Sequence, residues 1–145
     1  MTPLWKTWLN LWCMGVVLFG LVLALAAVPG ADHLGRTIFV MFLDDKAAAA
    51  DFDLPSVRFG LGLQGALTIG WGLLMTGVMR NAAPGNTELW RWLTLSLTAW
   101  YVIDSAISLS TGFSLNAGSN TILIVTYLIP VLASGVLNVS GRKEA

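Results

Sequence analysis

The sequence predicts an all-α, polytopic integral membrane protein: an antiparallel bundle of four transmembrane helices with a short interfacial helix in the first loop. Three observations carry that prediction. Hydrophobic residues make up 56% of the 145-residue chain and charged residues only 11%, against about 25% charged in soluble domains. Mean hydropathy is +0.74. Four apolar stretches are each long enough for the roughly 20 residues that a crossing needs, and turn-forming or charged segments separate them. A single membrane domain over residues 1–145 is the natural reading. Formal net charge is zero, so nothing suggests a nucleic-acid partner, which would call for a basic patch to neutralise phosphates.

The first crossing is expected over about residues 11–28, with Trp5, Trp8 and Trp12 at its entrance. Tryptophan favours the headgroup level, so this order reads as an interface followed by a span. Lys6 and the small residues Ala24-Leu25-Ala26 also fit a cleaved signal peptide, but the apolar run is long for one. Cys13 has no second cysteine to pair with and reads as a small buried hydrophobe. The loop after Pro29-Gly30 carries Asp32, Asp44, Asp45, Asp51 and Asp53 with His33, Arg36 and Lys46. Its apolar centre, about residues 33–43, is too short to span and too greasy for water, which suggests an interfacial helix. His33, the only histidine, reads as a surface or helix-start residue, because no second histidine is available to share a metal.

The second crossing is expected at about 56–79, led by Arg58 and rich in glycine. Gly65, Thr68, Gly72 and Thr76 recur at helical spacing, forming one small-residue face through which helices approach closely in lipid. Gln64, the one amide in this span, is expected to bond a neighbouring helix. Ala83-Pro84-Gly85-Asn86 marks a turn. The third crossing, about 89–110, starts at Trp90-Arg91-Trp92, and the fourth, about 118–138, follows so soon that the two must be neighbours. Pro130 removes a backbone donor within the fourth span, with Thr126 placed to compensate. With the amino terminus inside, Lys6, Arg80, Arg91, Arg142 and Lys143 face the cytoplasm and Arg36, Lys46 and Arg58 the other side. The basic excess therefore places both termini in the cytoplasm.

The candidate site lies at the outer end. Asp104 is the only acid deep within an apolar segment, and Tyr101, Asp104, Ser108 and Thr111 share a stripe on the third helix. Ser105 borders it, and Asn116 and Asn120 lie one turn apart at the start of the fourth helix. A carboxylate in a span costs roughly 2.5–3.5 kcal/mol at the bilayer centre, so Asp104 should face inward and find partners. Arg58 is the expected cation, in contact directly or through Asn116, Asn120 or water. The cluster reads either as a polar clasp between helices or as a binding site for a lipid headgroup, a quinone, another small polar-headed molecule or a proton. No HExxH, GxSxG or P-loop pattern is present, so no catalytic residue, metal site or cofactor is expected.

Arg58-Phe59-Gly60-Leu61-Gly62 through Gly70-Trp71-Gly72, in a chain of four crossings with a short apolar helix after the first, resembles the DoxX-like group of small bacterial membrane proteins. The resemblance implies an antiparallel four-helix bundle in a bacterial inner membrane, in a group associated in places with respiratory or redox membrane complexes. It transfers no catalytic residue. The expected role is a non-catalytic accessory or assembly protein whose partners are the lipid bilayer and a larger membrane complex or further copies of the chain. The alternative is binding or transport of a small ligand through the Asp104 site.

Overall fold

A computed structural model describes residues 1–82 and 85–138. Among them are five α-helices and one 3₁₀ helix, and no strand: α1 (Pro3–Ala26), α2 (His33–Phe42), the 3₁₀ helix Lys46–Asp53, α3 (Pro55–Asn81), α4 (Thr87–Ser110) and α5 (Ser114–Ala133). Helices α1, α3, α4 and α5 are long and apolar enough to cross a membrane. The expected Ala83-Pro84 corner and the tail residues Arg142 and Lys143 lie outside the described residues.

Local chemistry explains where the helices begin. Thr2 Oγ1 accepts a bond from the backbone N–H of Trp5 at 3.5 Å, and Pro3 opens α1. A proline in the first turn loses only a donor that would be unpaired there. The helix thus starts ahead of all three entrance tryptophans, eight residues before the expected boundary near 11. Pro55 opens α3 in the same way, and the Asn86 side chain caps α4 through the Leu89 N–H. The start of α5 is fixed from a distance: the Asp44 carboxylate accepts from Ser114 N at 3.2 Å and from Ser114 Oγ at 2.5 Å. That cap moves the helix start to Ser114 from the expected 118. His33 is exposed at the first position of α2.

Packing divides the helices into pairs. Helix α1 packs most extensively against α3, α4 packs against α5, and α1 also touches α5 and α2. The α1–α3 contact is nearly backbone on backbone. A Cβ at Gly65 would meet Gly20 O at 2.6 Å and Ala24 Cα at 2.7 Å, and one at Gly72 would meet Val17 Cγ2 at 2.7 Å. Gly65 and Gly72 thus form the close-approach face that their spacing suggested, whereas Thr76 Oγ1 turns back to its own helix at Gly72 O and Thr68 is half-buried. Near the amino-terminal end of α1 the elements converge on a core of Leu9, Trp12, Cys13, Val16, Met75, Trp90, Leu97, Tyr127 and Val131. Helices α3 and α4 share no broad interface. Trp71 and Trp100 bridge them, with ring centroids 5.6 Å apart.

Pro130 lies inside α5 and is buried. Lacking an N–H, it leaves the carbonyl of Thr126 without its i+4 donor. Trp8 Nε1 of α1 supplies that bond at 2.8 Å. The Thr126 hydroxyl, expected to compensate, instead donates to Ile122 O and Leu123 O. Trp8→Phe is expected to cost about 1 kcal/mol, the usual net worth of one intramolecular hydrogen bond. In a Pro130→Ala background, where the helix recovers its own donor, the same change should cost less. Equal costs in the two backgrounds, read from unfolding in detergent, would refute this pairing.

Candidate functional site

Asp104 enters the site on α4 facing α5. Its Oδ2 accepts from Asn120 Nδ2 at 2.6 Å and from Asn116 Nδ2 at 3.3 Å. Both amides turn their NH₂ groups towards this one oxygen, which accepts from each. Asn116 Nδ2 also donates to Ser108 Oγ at 2.8 Å, Ser108 Oγ donates to the Asp104 carbonyl at 2.7 Å, and Ser105 Oγ lies 3.4 Å from Asn120 Nδ2. Asn120 and Ser108 are buried, whereas Asp104 and Asn116 are partly exposed. The expected grouping of Asp104, Ser108, Asn116 and Asn120 is therefore present as one hydrogen-bonded cluster. Tyr101 stands apart, because its hydroxyl bonds Thr121 Oγ1 at 3.1 Å.

The cluster forms one wall of a cavity of about 210 Å³. Helix α2 covers it with Ile38, Phe39 and Phe42; Phe19 and Leu23 of α1, Gln64 of α3 and Phe113 complete an aromatic and aliphatic lining. Its exposed lining residues are Phe19, Gln64, Ile107 and Thr111; because α3 and α4 share no broad interface, the cavity opens between Gln64 and Ile107. Asp104 Oδ1 makes no hydrogen bond among the described residues, and neither does the Gln64 amide, so the interhelical bond expected of Gln64 does not form. The aromatic lining was not legible as a site, because the loop helix supplies much of it and helical spacing says nothing of where a loop helix docks.

Arg58 does not reach Asp104, which corrects the expected ion pair. Its guanidinium is held by three other acceptors: Asp32 Oδ2 at 2.7 Å, Asp53 Oδ1 at 2.7 Å and the carbonyl of Ala26 at 3.1 Å. Arg36 joins from α2, donating to both oxygens of Asp53 at 2.5 and 3.1 Å and lying 3.4 Å from Asp32. Both guanidinium groups lie against the ring of Phe52, 4.3 Å and 5.0 Å from its centroid. Phe52 is fully buried and meets Phe39, which in turn meets Phe113. Asp32 and Asp53 thus fasten α1, α2 and α3 together through the two arginines. They set the roof of the cavity without entering it.

The charges of this fastener predict an acid sensitivity. Hydrogen bonds from Arg36 and then Arg58 pull the Asp53 carboxyl down to about 2, and the bond from Arg58 lowers that of Asp32. A carboxyl depressed by folding stabilises the fold fully above its unfolded value of about 3.9 and ceases to do so as pH falls through its folded value. The unfolding temperature of the wild type should therefore fall between about pH 4 and pH 2, by an amount that solvent screening of these partly exposed pairs keeps modest. Asp53→Asn should start lower at pH 7 and show a shallower fall in that window; parallel curves would contradict the assignment.

Compared with known proteins, the chain matches no family model, no curated protein and no solved structure.

Proposed function

We propose that this is a multi-pass integral membrane protein that binds a small ligand with a polar head and an apolar body in the cavity beneath α2. The observation that carries the reading is the half-satisfied carboxylate of Asp104. It is fixed by two asparagines on one oxygen while the other is uncommitted, and it stands among Gln64, Ser108, Thr111 and Asn116 at the polar side of a pocket whose other side chains are aromatic and aliphatic. Ligand sites combine a mostly apolar lining with a few placed polar groups, and typically measure about 300–1,000 Å³. At about 210 Å³ the cavity takes a head and the first part of a tail. The remainder would lie in lipid, through the mouth between Gln64 and Ile107. A lipid or a quinone-like molecule has that shape.

The membrane setting rests on four apolar helices and on leucines, isoleucines and valines that stand exposed along all of them, such as Leu18, Leu67, Val102 and Ile122. In water such a surface would aggregate, whereas in lipid it is the expected exterior. The four crossings are proposed to run antiparallel, with Lys6, Arg80 and Arg91 on the cytoplasmic side and Arg36, Lys46 and Arg58 opposite. The DoxX-like layout supports a bacterial inner membrane. The chemistry is binding without catalysis.

The test is mass spectrometry of small molecules retained by the protein purified in nanodiscs. Wild type should hold one species in near-stoichiometric amount, and both Asp104→Asn and Ile107→Trp, which blocks the mouth, should lose it while folded. Retention by both variants would defeat the reading. A second reading is favoured by the poor burial of α3 and α4, 17% and 11% of their spans against 39% and 33% for α1 and α5. Their open side would dock an accessory protein onto a larger membrane complex. That reading predicts a stoichiometric protein partner retained equally by wild type and Asp104→Asn.

A further inference from the structure

A second cavity, of about 340 Å³, lies at the opposite end of the helices, and its lining includes Lys6, Asn10, Arg80 and Trp90 and, among the described residues, no acidic one. Its cations are not absorbed by the fold. Arg80 Nε donates to Asn10 Oδ1 at 3.1 Å, and Asn10 Nδ2 is anchored on Lys6 O at 2.9 Å. That leaves both terminal nitrogens of Arg80 and the Lys6 ammonium without a partner among the described residues. Helix stability accounts for Arg80, which lies in the last turn of α3 where the dipole favours a cation. It does not account for Lys6, which lies in the opening turns of α1, where the same dipole opposes one. Two cations and the positive end of α1 therefore meet at one cavity, where only Arg80 has the negative end of α3 to offset it.

We propose that this cavity binds a phosphate group, and that its source is the headgroup of an anionic phospholipid in the adjoining leaflet. The depth is right for that source. Trp90 lines the cavity, and Trp5, Trp8 and Trp92 stand exposed or half-exposed at the same ends of α1 and α4, as expected of a tryptophan belt at headgroup level. Basic pockets between spanning helices suit anionic headgroups, with each cation contributing about fivefold in affinity. This inference uses the membrane setting proposed above but not the Asp104 cavity, so either site can fail without the other.

The experiment is native mass spectrometry of the full chain with phosphatidylglycerol or phosphatidylcholine, alongside unfolding temperature in the presence of inorganic phosphate. Wild type should retain phosphatidylglycerol over phosphatidylcholine. Lys6→Gln and Arg80→Gln should each weaken that retention about fivefold, and the double variant about thirtyfold. Both residues are exposed, and an unfolding temperature near the wild-type value in phosphatidylcholine checks that the variants fold. Stabilisation by inorganic phosphate that depends on Lys6 and Arg80, without lipid preference, would keep the phosphate site but overturn the lipid source. Equal retention of the two lipids with no phosphate effect, or a preference unchanged in the double variant, would overturn the site.

Discussion

Gly65→Val should be the most damaging single substitution in the bundle. A Cβ at this position meets main-chain atoms of α1, at 2.6 Å from Gly20 O and 2.7 Å from Ala24 Cα. No rotamer change can relieve a clash with backbone, so α1 and α3 must separate. Overpacking costs about 1–3 kcal/mol where side chains can adjust and occasionally more; here about 3 kcal/mol or more is expected. The loss is amplified because α1–α3 is the most extensive interface among the described residues, and in the proposed membrane setting helix association depends on such close packing. Gly70→Ala on the same helix is the control. Nothing lies within 4 Å of a Cβ there, and alanine is the better helix former by up to about 1 kcal/mol. Tryptophan fluorescence on titration with denaturing detergent reads both, since Trp12 and Trp71 meet across the interface at 6.4 Å. A Gly65→Val protein as stable as Gly70→Ala would mean that α1 and α3 do not meet at these glycines.

The parts of the architecture that sequence could supply are those whose causes are local. Runs of apolar residues mark the four long helices, the glycine spacing marks the face that meets α1, and the short apolar centre of the first loop marks α2 at His33–Phe42. The Asp104 cluster was legible for the same reason. Its members lie 4 to 16 residues apart along α4 and α5, and a turn as short as Thr111–Phe113 leaves these helices few ways to pair. What escaped depends on how the first loop folds. Arg58 was assigned to Asp104 because that acid looked most in need of a cation. Five loop aspartates competed for it, and two of them won once α2 and the 3₁₀ helix had brought Asp32 and Asp53 to the head of α3. Asp53 is only five residues from Arg58 and could have been favoured on that ground. The donor from Trp8 to Thr126 and the cap from Asp44 to Ser114 span 118 and 70 residues, and no periodicity points to either.

Asp104→Leu and Asp104→Asn should separate, and the direction of each follows from counting partners. Leucine removes the acceptor for buried Asn120, whose remaining contact is Ser105 Oγ at 3.4 Å, while Asn116 keeps Ser108 Oγ at 2.8 Å. One buried donor is thus left poorly satisfied, at a cost of about 1–3 kcal/mol. The same change relieves the expense of a carboxylate in the bilayer, up to roughly 2.5–3.5 kcal/mol at its centre. In the membrane reading these two effects belong to different steps. Relief of the carboxylate makes insertion of α4 easier, whereas loss of the acceptor weakens the pairing of helices already inserted. Asp104→Leu should therefore insert at least as efficiently as wild type and yet unfold more readily within the bilayer or micelle. Asp104→Asn retains a side-chain oxygen for Asn120 and should lose less than about 1 kcal/mol. Insertion efficiency measured by protease protection, set beside unfolding by steric trapping, resolves the two steps. If Asp104→Leu proves as resistant to unfolding as wild type, the cluster does not hold α4 to α5. If it weakens that pairing while Asp104→Asn stays folded and empties the cavity, one carboxylate both joins the helices and offers its free oxygen to the ligand.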